Sequence, residues 1–366
     1  MKLKDLKESN YCQFMYNSFY YNKGNVSMCC LQDSLFYKDD WDDVDNLDDF
    51  YFKKEFDDVR FDTERGIKPS ACETCWANER NGTPSMRQQN MYYNSQTYTA
   101  FPRIKHVDLR LSNKCNLQCK MCSPSDSDQI AKIMGKDYGT TDTKTLLDKI
   151  FNLNSLEAIR FAGGEPFIMP EVEEFLYRLV TAKKTNIRIE LITNCTSVKP
   201  RILEILNNFD HVDIMASIDS TGKWFEFQRY PARWDQVERN FLKLYNSKCN
   251  VRLVPCIGNI NLLGVADFFR WANQYPRALV TFNEIFTPDY LNFRFVPMDL
   301  RRDLIKNFKA MRLENAVPAW TNFKEHLMYE YQKPSDEQIQ KLLDRNALVW
   351  RADETKMREF FPWIYT

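Results

Sequence analysis

Between residues 104 and 286, six short β-rich runs alternate with segments of helical period, and this alternation restricts the fold more than any other feature of the chain. The runs are IKHVDLRL (104–111), LEAIRFAG (156–163), IRIELIT (187–193), HVDIMASI (211–218), VRLVPCIG (251–258) and ALVTFNEIF (278–286). TKTLLDKIFNL, EVEEFLYRLV, KPRILEILNNF, WDQVERNFLKLY and GVADFFRWAN lie between them and repeat apolar side chains at three- and four-residue spacing, the period of a helix with one buried face. Strands joined through helices run parallel, so the pattern predicts an α/β barrel or open α/β sheet. In such folds reactive groups gather at the carboxyl ends of the strands.

The flanks have another texture. YNSFYYNKGNVSMCC reads as a β-hairpin turning near Lys23-Gly24, followed by the acidic run DDWDDVDNLDD, a solvated loop or helix start without functional role. A polar stretch then ends in CETCWANERNGTPSMRQQN. Past residue 297, MDLRRDLIKNFKAMRL, AWTNFKEHLMYEY and SDEQIQKLLDRNALVW look helical, with Ser335 as an N-cap and Glu337 close behind it. The expected segments are a cysteine-rich module (1–98), a strand–helix domain (99–296) and a C-terminal helical extension (297–366). Fifty Lys and Arg balance fifty Asp and Glu, so no global field draws the chain to nucleic acid or anionic lipid. MKLKDLKESNYC has no apolar core and no run of about 18 apolar residues occurs, which predicts a cytoplasmic protein without a membrane segment.

Eleven cysteines in such a chain point to metal or redox duty rather than to a disulfide framework. Cys115, Cys119 and Cys122 stand together in SNKCNLQCKMCSP, directly after the first run of the alternating region. Structural zinc takes four ligands and disulfides need an even number, so three is informative. Three thiolates on a cubic iron–sulfur cluster leave one iron open, and an open position is what separates a metal centre that binds substrate from one that braces a fold. Cys12, Cys29, Cys30, Cys72 and Cys75 form a second set, in which Cys72-x2-Cys75 has metal-ligand spacing. Four of them, with one of the Cys29-Cys30 pair, fit another cubic cluster or a four-cysteine zinc site; CETC opens no βαβ unit and so does not read as a thioredoxin motif. Cys195 and Cys256 read as small apolar core residues, and Cys249 gives no signal.

The spacing Cys115-x3-Cys119-x2-Cys122 after a first strand resembles the signature of the radical S-adenosylmethionine (radical SAM) superfamily, and further elements follow in that family's order. FAGGEP (161–166) is similar to its GGEP element, LITNC to its Thr-Asn-Gly element with Cys195 in place of glycine, and ASIDS ends the fourth run. The resemblance implies a partial (β/α)6 TIM-like barrel holding a [4Fe–4S] cluster on Cys115, Cys119 and Cys122 and S-adenosylmethionine on its open iron. It implies cofactor contacts from Gly163, Gly164, Glu165, Asn194, Ser217 and Asp219, from Arg229 through its fork, and from Asn259 or Asn261 near the adenine. Met121 replaces the aromatic residue common before the third cysteine, and its apolar body is expected against adenine. The second cysteine set is similar to SPASM and twitch auxiliary-cluster modules, moved ahead of the barrel, with Cys12, Cys29, Cys72 and Cys75 as ligands and Cys30 as the substitute for Cys29.

The expected activity is reductive cleavage of S-adenosylmethionine to a 5'-deoxyadenosyl radical that removes hydrogen from a substrate C–H bond. Peptide or protein modification, or oxidation assisted by the second cluster, is the first reading; a sugar-like or nucleotide small molecule is the alternative. An external one-electron donor such as flavodoxin or ferredoxin is the expected partner, and nucleic acid is not. A zinc-stabilised module without catalysis is the reading of another class. His106, His211 and His326 stand singly and receive no catalytic role, and no residue is assigned as catalytic.

Overall fold

The computed structural model describes residues 10–35, 46–82, 85–93, 101–138, 142–309 and 323–365. Parts of the acidic run, of GTPSMR and of the two helical segments around 310–322 lie outside them. The chain divides into two compact units, Met1–Ser112 with Gly139–Gly163 and Glu171–Glu190, and Asn113–Tyr138 with Gly164–Pro170 and Leu191–Thr366. The class is α/β, with parallel strands linked through helices.

In the first unit, β1 (Ser18–Asn22) and β2 (Asn25–Ser27) form the expected hairpin, antiparallel with Tyr21 opposite Val26. Its two turn residues, Lys23 (φ 52°) and Gly24 (φ 100°), are both left-handed, the conformation whose twist suits a two-residue hairpin. The hairpin does not stand apart from the alternating region. β1 runs parallel to β3 (His106–Arg110), Ser18 opposite His106 through Asn22 opposite Arg110, and β3 runs parallel to β4 (Ala158–Phe161). β5 (Arg188–Thr193) begins beside β4, where the Arg188 amide donates to the Glu157 carbonyl at 2.9 Å. The helices Thr143–Phe151 and Pro170–Thr181 bury the stripes the sequence predicts, among them Leu146, Ile150, Phe175 and Leu179. Near the start of the chain, the helix Lys54–Glu64 buries Arg60, whose Nε donates to the Met15 carbonyl (2.7 Å) and whose Nη1 donates to that of Tyr51 (2.9 Å). This pins the turn Phe14–Asn17 that follows Cys12.

In the second unit, the end of β5 lies beside β6 (Val212–Ala216), with the Ser217 amide donating to the Thr193 carbonyl at 2.8 Å. β7 (Asn250–Leu253) runs parallel to β6. The fifth predicted run then breaks, because Pro255 has no amide hydrogen to offer a ladder. Its second half, β8 (Cys256–Ile257), leaves β7, and the sixth run breaks likewise into β9 (Leu279–Val280) and β10 (Asn283–Glu284). β9 stays on β7, while β10 pairs parallel with β8 as a separate two-stranded sheet. At the C-terminal end, Ser335 caps the helix Asp336–Arg345 in a complete capping box closed by Gln338, one residue past Glu337. That helix runs into the π-turn Asn346–Trp350, left-handed Arg351 (φ 52°) and the helix Glu354–Phe360. Leu342, Val349, Trp350 and Phe360 pack with Ile130 and Phe227 in one buried cluster, against which Met121 and Cys122 also pack. Among the described residues no helix is long and apolar enough to cross a membrane.

Candidate functional site

The three-cysteine segment of the second unit is an irregular loop, so its backbone polar groups need partners from elsewhere. Two come from the end of the helix Gly222–Gln228 and the turn after it: the Gln118 and Lys120 amides donate to the carbonyls of Tyr230 (2.7 Å) and Gln228 (2.8 Å). The Cys115 amide donates to Asp128 Oδ1 at 2.9 Å, at the start of the helix Asp128–Ile133. Ser127, which caps that helix, also donates its hydroxyl to the Leu117 carbonyl at 2.6 Å. The Cys122 amide closes a turn on the Cys119 carbonyl (3.0 Å), and Arg345 Nη2, from far along the chain, donates to the Cys122 carbonyl at 2.7 Å.

The GGEP element meets this loop. The Glu165 amide donates to the Lys114 carbonyl at 2.9 Å, and Gly164 (φ 54°) comes so close that a Cβ there would lie 2.3 Å from the same oxygen. Gly163 is left-handed as well (φ 71°), with its missing Cβ facing Arg110 in the first unit. Glu165 is fully buried. Its carboxylate accepts from the Thr193 hydroxyl (2.7 Å) and from the amides of Asn194 (2.6 Å) and Phe167 (3.1 Å). Burial pushes the carboxyl up to about 7 against the pull of those donors. Asn194 accepts from the Thr196 amide and hydroxyl and donates to Asn116 Oδ1 at 3.1 Å, which ties the end of β5 to the cysteine loop. Cys195 keeps the left-handed backbone (φ 59°) that glycine would take without strain.

Asp219 and Arg229 meet each other. Arg229 Nε and Nη2 close on the two carboxylate oxygens at 2.6 and 3.0 Å, while Nη1 lies 4.0 Å from the Cys119 sulfur. The fork that the sequence reading aims at a cofactor carboxylate is thus engaged by Asp219, which also accepts from the Cys256 amide at 2.8 Å. Cys119 is held low, first by a hydrogen bond from the Cys122 thiol and then by the Arg229 guanidinium, and Cys122 is correspondingly raised. Burial pushes Cys115 up to about 12. Ser217 is half-buried just past β6. Asn261 spends its side chain on the Gly258 amide and on the carbonyls of Asp219 and Cys256. Asn259 donates to the Tyr290 carbonyl at 2.9 Å, but its buried Oδ1 has no partner among the described residues. The same holds for Gln228 Oε1, on the side chain whose Nε2 points to the Met121 sulfur at 3.8 Å.

In the first unit, Cys12, Cys29, Cys72 and Cys75 line one small cavity with Gln32 and Trp76. Cys30 instead senses Asp108, Arg110 and Arg160. Burial pushes the thiols of Cys12 and Cys72 up to about 12 and about 11, and neighbouring cysteines add to the rise. Among the described residues no three His, Cys, Asp or Glu side chains close on a point as ligands of a single metal ion. Lys120, Arg345 and Trp350 beside the cysteine loop are not found by sequence reasoning. Lys120 carries a local signal in lying between two cysteines, but the other two arrive from more than 200 residues away.

Residues 109–272 match the radical SAM superfamily. Over that stretch the chain is a radical SAM domain. A relative from Methanocaldococcus jannaschii, an uncharacterized protein, is 25% identical over 187 residues, 49% of this chain and 62% of its own. Molybdenum cofactor biosynthesis protein 1 of Dictyostelium discoideum is 31% identical over 172 residues, covering 44% of this chain and 26% of that protein. Among solved structures, SuiB of Streptococcus suis bound to the precursor peptide SuiA aligns with a TM-score of 0.41 at 14% identity, over 69% of this chain and 59% of that one. The chain spans less than two thirds of the length of each. The radical SAM stretch contains all three loop cysteines, the GGEP element and the Asp219–Arg229 pair.

Proposed function

We propose that the chain is a radical SAM enzyme in which Cys115, Cys119 and Cys122 hold a [4Fe–4S] cluster whose fourth iron takes S-adenosylmethionine. The observation that carries this reading is the joining of the cysteine loop to the GGEP turn and the end of β5, through Lys114–Glu165 and Asn116–Asn194. The residues present fit the group. Three thiols stand on one loop, and the buried, unpartnered Gln228 Oε1 and Asn259 Oδ1 are acceptors left for a bound molecule's donors. With one electron from a flavodoxin- or ferredoxin-type donor, the cluster and S-adenosylmethionine supply methionine and a 5'-deoxyadenosyl radical, which takes a hydrogen atom from a substrate C–H bond. The chain's own part is to hold that chemistry in place. Gly164 lets the GGEP backbone approach, Glu165 fixes Thr193 and Asn194, and Asp219 orients Arg229 so that a positive charge faces Cys119.

Cys12, Cys29, Cys72 and Cys75 are the ligands we assign to an auxiliary [4Fe–4S] cluster in a twitch-like module of residues 1–98, with 99–296 as the radical SAM barrel and 297–366 as its helical extension. Their common cavity, which Cys30 does not line, supports that choice over Cys30. Such a cluster would serve as an acceptor for the electron left on an oxidised substrate. For the substrate, peptide modification remains the reading the resemblance implies. The charge of the cavity described below favours the small-molecule reading, and one relative is named for cofactor biosynthesis.

Anaerobic reconstitution tests these assignments. Brown protein with about eight irons is expected if both clusters are cubic, and about four should vanish when Cys115, Cys119 and Cys122 are all replaced by alanine. Reductant-dependent release of 5'-deoxyadenosine should vanish with them. Full iron content in that triple variant would sink the cluster site, and colourless protein carrying zinc would return the chain to a structural module.

A further inference from the structure

A cavity of about 740 Å³ opens in the second unit against the cysteine loop. That is the size of a small-molecule site. None of the residues assigned to S-adenosylmethionine lines it. Its walls come from four places: the loop itself (Gln118, Lys120), Ile133 at the end of the helix Asp128–Ile133, residues 223–233 after β6, and residues 349–360 of the C-terminal segment. Five cationic side chains face two carboxylates across it. Glu359 pairs with Lys223, and Glu226 pairs with Arg233 at 3.6 Å. Lys120, Arg351 and Lys356 are left, and among the described residues these three form no ion pair.

Lys120 is the decisive member. Its side chain is buried, and among the described residues its ammonium faces the rings of Phe227 (4.7 Å), Trp350 (5.4 Å) and Tyr230 (5.9 Å), while burial and then the charge of Lys356 pull its proton affinity down to about 7 against the opposing pull of Cys119. Rings offset part of the cost of removing an ammonium from water, but a buried charge without an anion is a costly arrangement that a ligand anion relieves. Next to it the Trp350 indole N–H is buried without an acceptor among the described residues. Trp350 ends a π-turn, and Arg351 after it is held left-handed (φ 52°). Irregular, strained backbone of this kind concentrates where a fold presents side chains to a ligand.

We infer that this cavity binds a small polyanion, a ligand carrying two or more phosphate-type charges, with Lys120, Arg351 and Lys356 as its counter-charges and the Trp350 N–H as a further donor. Three unpaired cations exceed what one carboxylate neutralises, and the concave shape suits a small molecule rather than a flat protein face. Naming that ligand the substrate rests on the radical reading above; its binding does not.

The test is calorimetric titration of the anaerobically reconstituted full chain with sodium tripolyphosphate, with citrate as the carboxylate comparison. Wild type should bind tripolyphosphate, and more tightly than citrate. Arg351→Gly, which also relieves the left-handed backbone, combined with exposed Lys356→Gln should weaken tripolyphosphate at least tenfold while iron content stays unchanged. Lys120→Met should weaken it further. Equal binding by wild type and the double variant would overturn the inference, as would citrate bound as tightly as tripolyphosphate. So would loss of flavodoxin-supported 5'-deoxyadenosine release in the double variant with tripolyphosphate binding intact, which would give the basic patch to the electron donor. In wild type, failure of cleavage with tripolyphosphate binding retained defeats the radical reading alone, and failure of binding with cleavage retained defeats this inference alone.

Discussion

At the scale of single residues, the candidate site depends on positions where one atom too many would displace the cysteine loop. Alanine at Gly164 would face both a left-handed φ and the Lys114 oxygen at 2.3 Å. It should cost roughly 1–3 kcal/mol or more of stability and lower the iron retained after reconstitution, measurable by denaturant melts and iron assay. Cys195 makes the converse case. Glycine there relieves a left-handed backbone but removes a fully buried side chain, so Cys195→Gly should change stability by less than about 1 kcal/mol, whereas β-branched Cys195→Val should cost clearly more. Glu165 gives a pH signature. Its folded-state value of about 7 lies above its ordinary 4.5, so the folded chain holds the proton more tightly than the unfolded chain does. Stability from this group is present below pH 4.5 and is lost as pH rises to about 7, by up to about 3 kcal/mol. Urea melts of metal-free protein across that window should show the fall, and Glu165→Gln should flatten it. The glycine turn at Gly163 and Gly164 is legible in the sequence because it is local. The pairing of Asp219 with Arg229 was not, since both were read as facing a cofactor and only the folded loop turns them toward each other.

At the scale of elements, periodicity and turn chemistry located β1 to β7 and the helices Thr143–Phe151, Pro170–Thr181, Pro200–Leu206 and Trp234–Tyr245, because each carries its own apolar face, but not Lys54–Glu64 or Glu73–Arg80, whose polar sequences show no such stripe. Pairing partners were less legible. Nothing in SFYYN says that β1 will lie parallel to β3, since that register depends on contacts 88 residues apart, such as Ser18 Oγ with His106 Nδ1 at 3.3 Å. His106 is half-buried at the start of β3, and the burial of its ring, with the Arg160 charge nearby, lowers its affinity for a proton below the ordinary 6.5. The unfolded chain then binds the proton better in acid, so this group should destabilise the fold progressively as pH drops below about 6.5. His106→Asn should reduce that acid sensitivity in thermal melts between pH 5 and 8. The capping box at Ser335 predicts a second effect: Ser335→Ala should cost about 1 kcal/mol and speed amide exchange in the helix Asp336–Arg345.

At the scale of the molecule, the helix Asp336–Arg345 and the turn and helix after it pack beside the cysteine loop within the second unit, a placement on which the sequence reading is silent. Leu342, Val349 and Phe360 share a core with Ile130 and Phe227, and Arg345 reaches the Cys122 carbonyl across 223 positions of chain. Such closure is invisible to any local pattern because it is a contact between distant segments. Arg345→Ala removes that contact and opens the loop to solvent, so a reconstituted cluster should lose its visible absorbance in air several-fold faster than in wild type, with little change in the anaerobic iron content. Closure also bears on Arg229, whose charge Asp219 locks beside Cys119 in a dry setting. A fixed cation there lowers the cost of adding an electron, so it raises the reduction potential of any cluster bound through that sulfur. Replacing it by glutamine should make the centre harder to reduce, and the fold would then be seen to tune how strong a donor the protein needs.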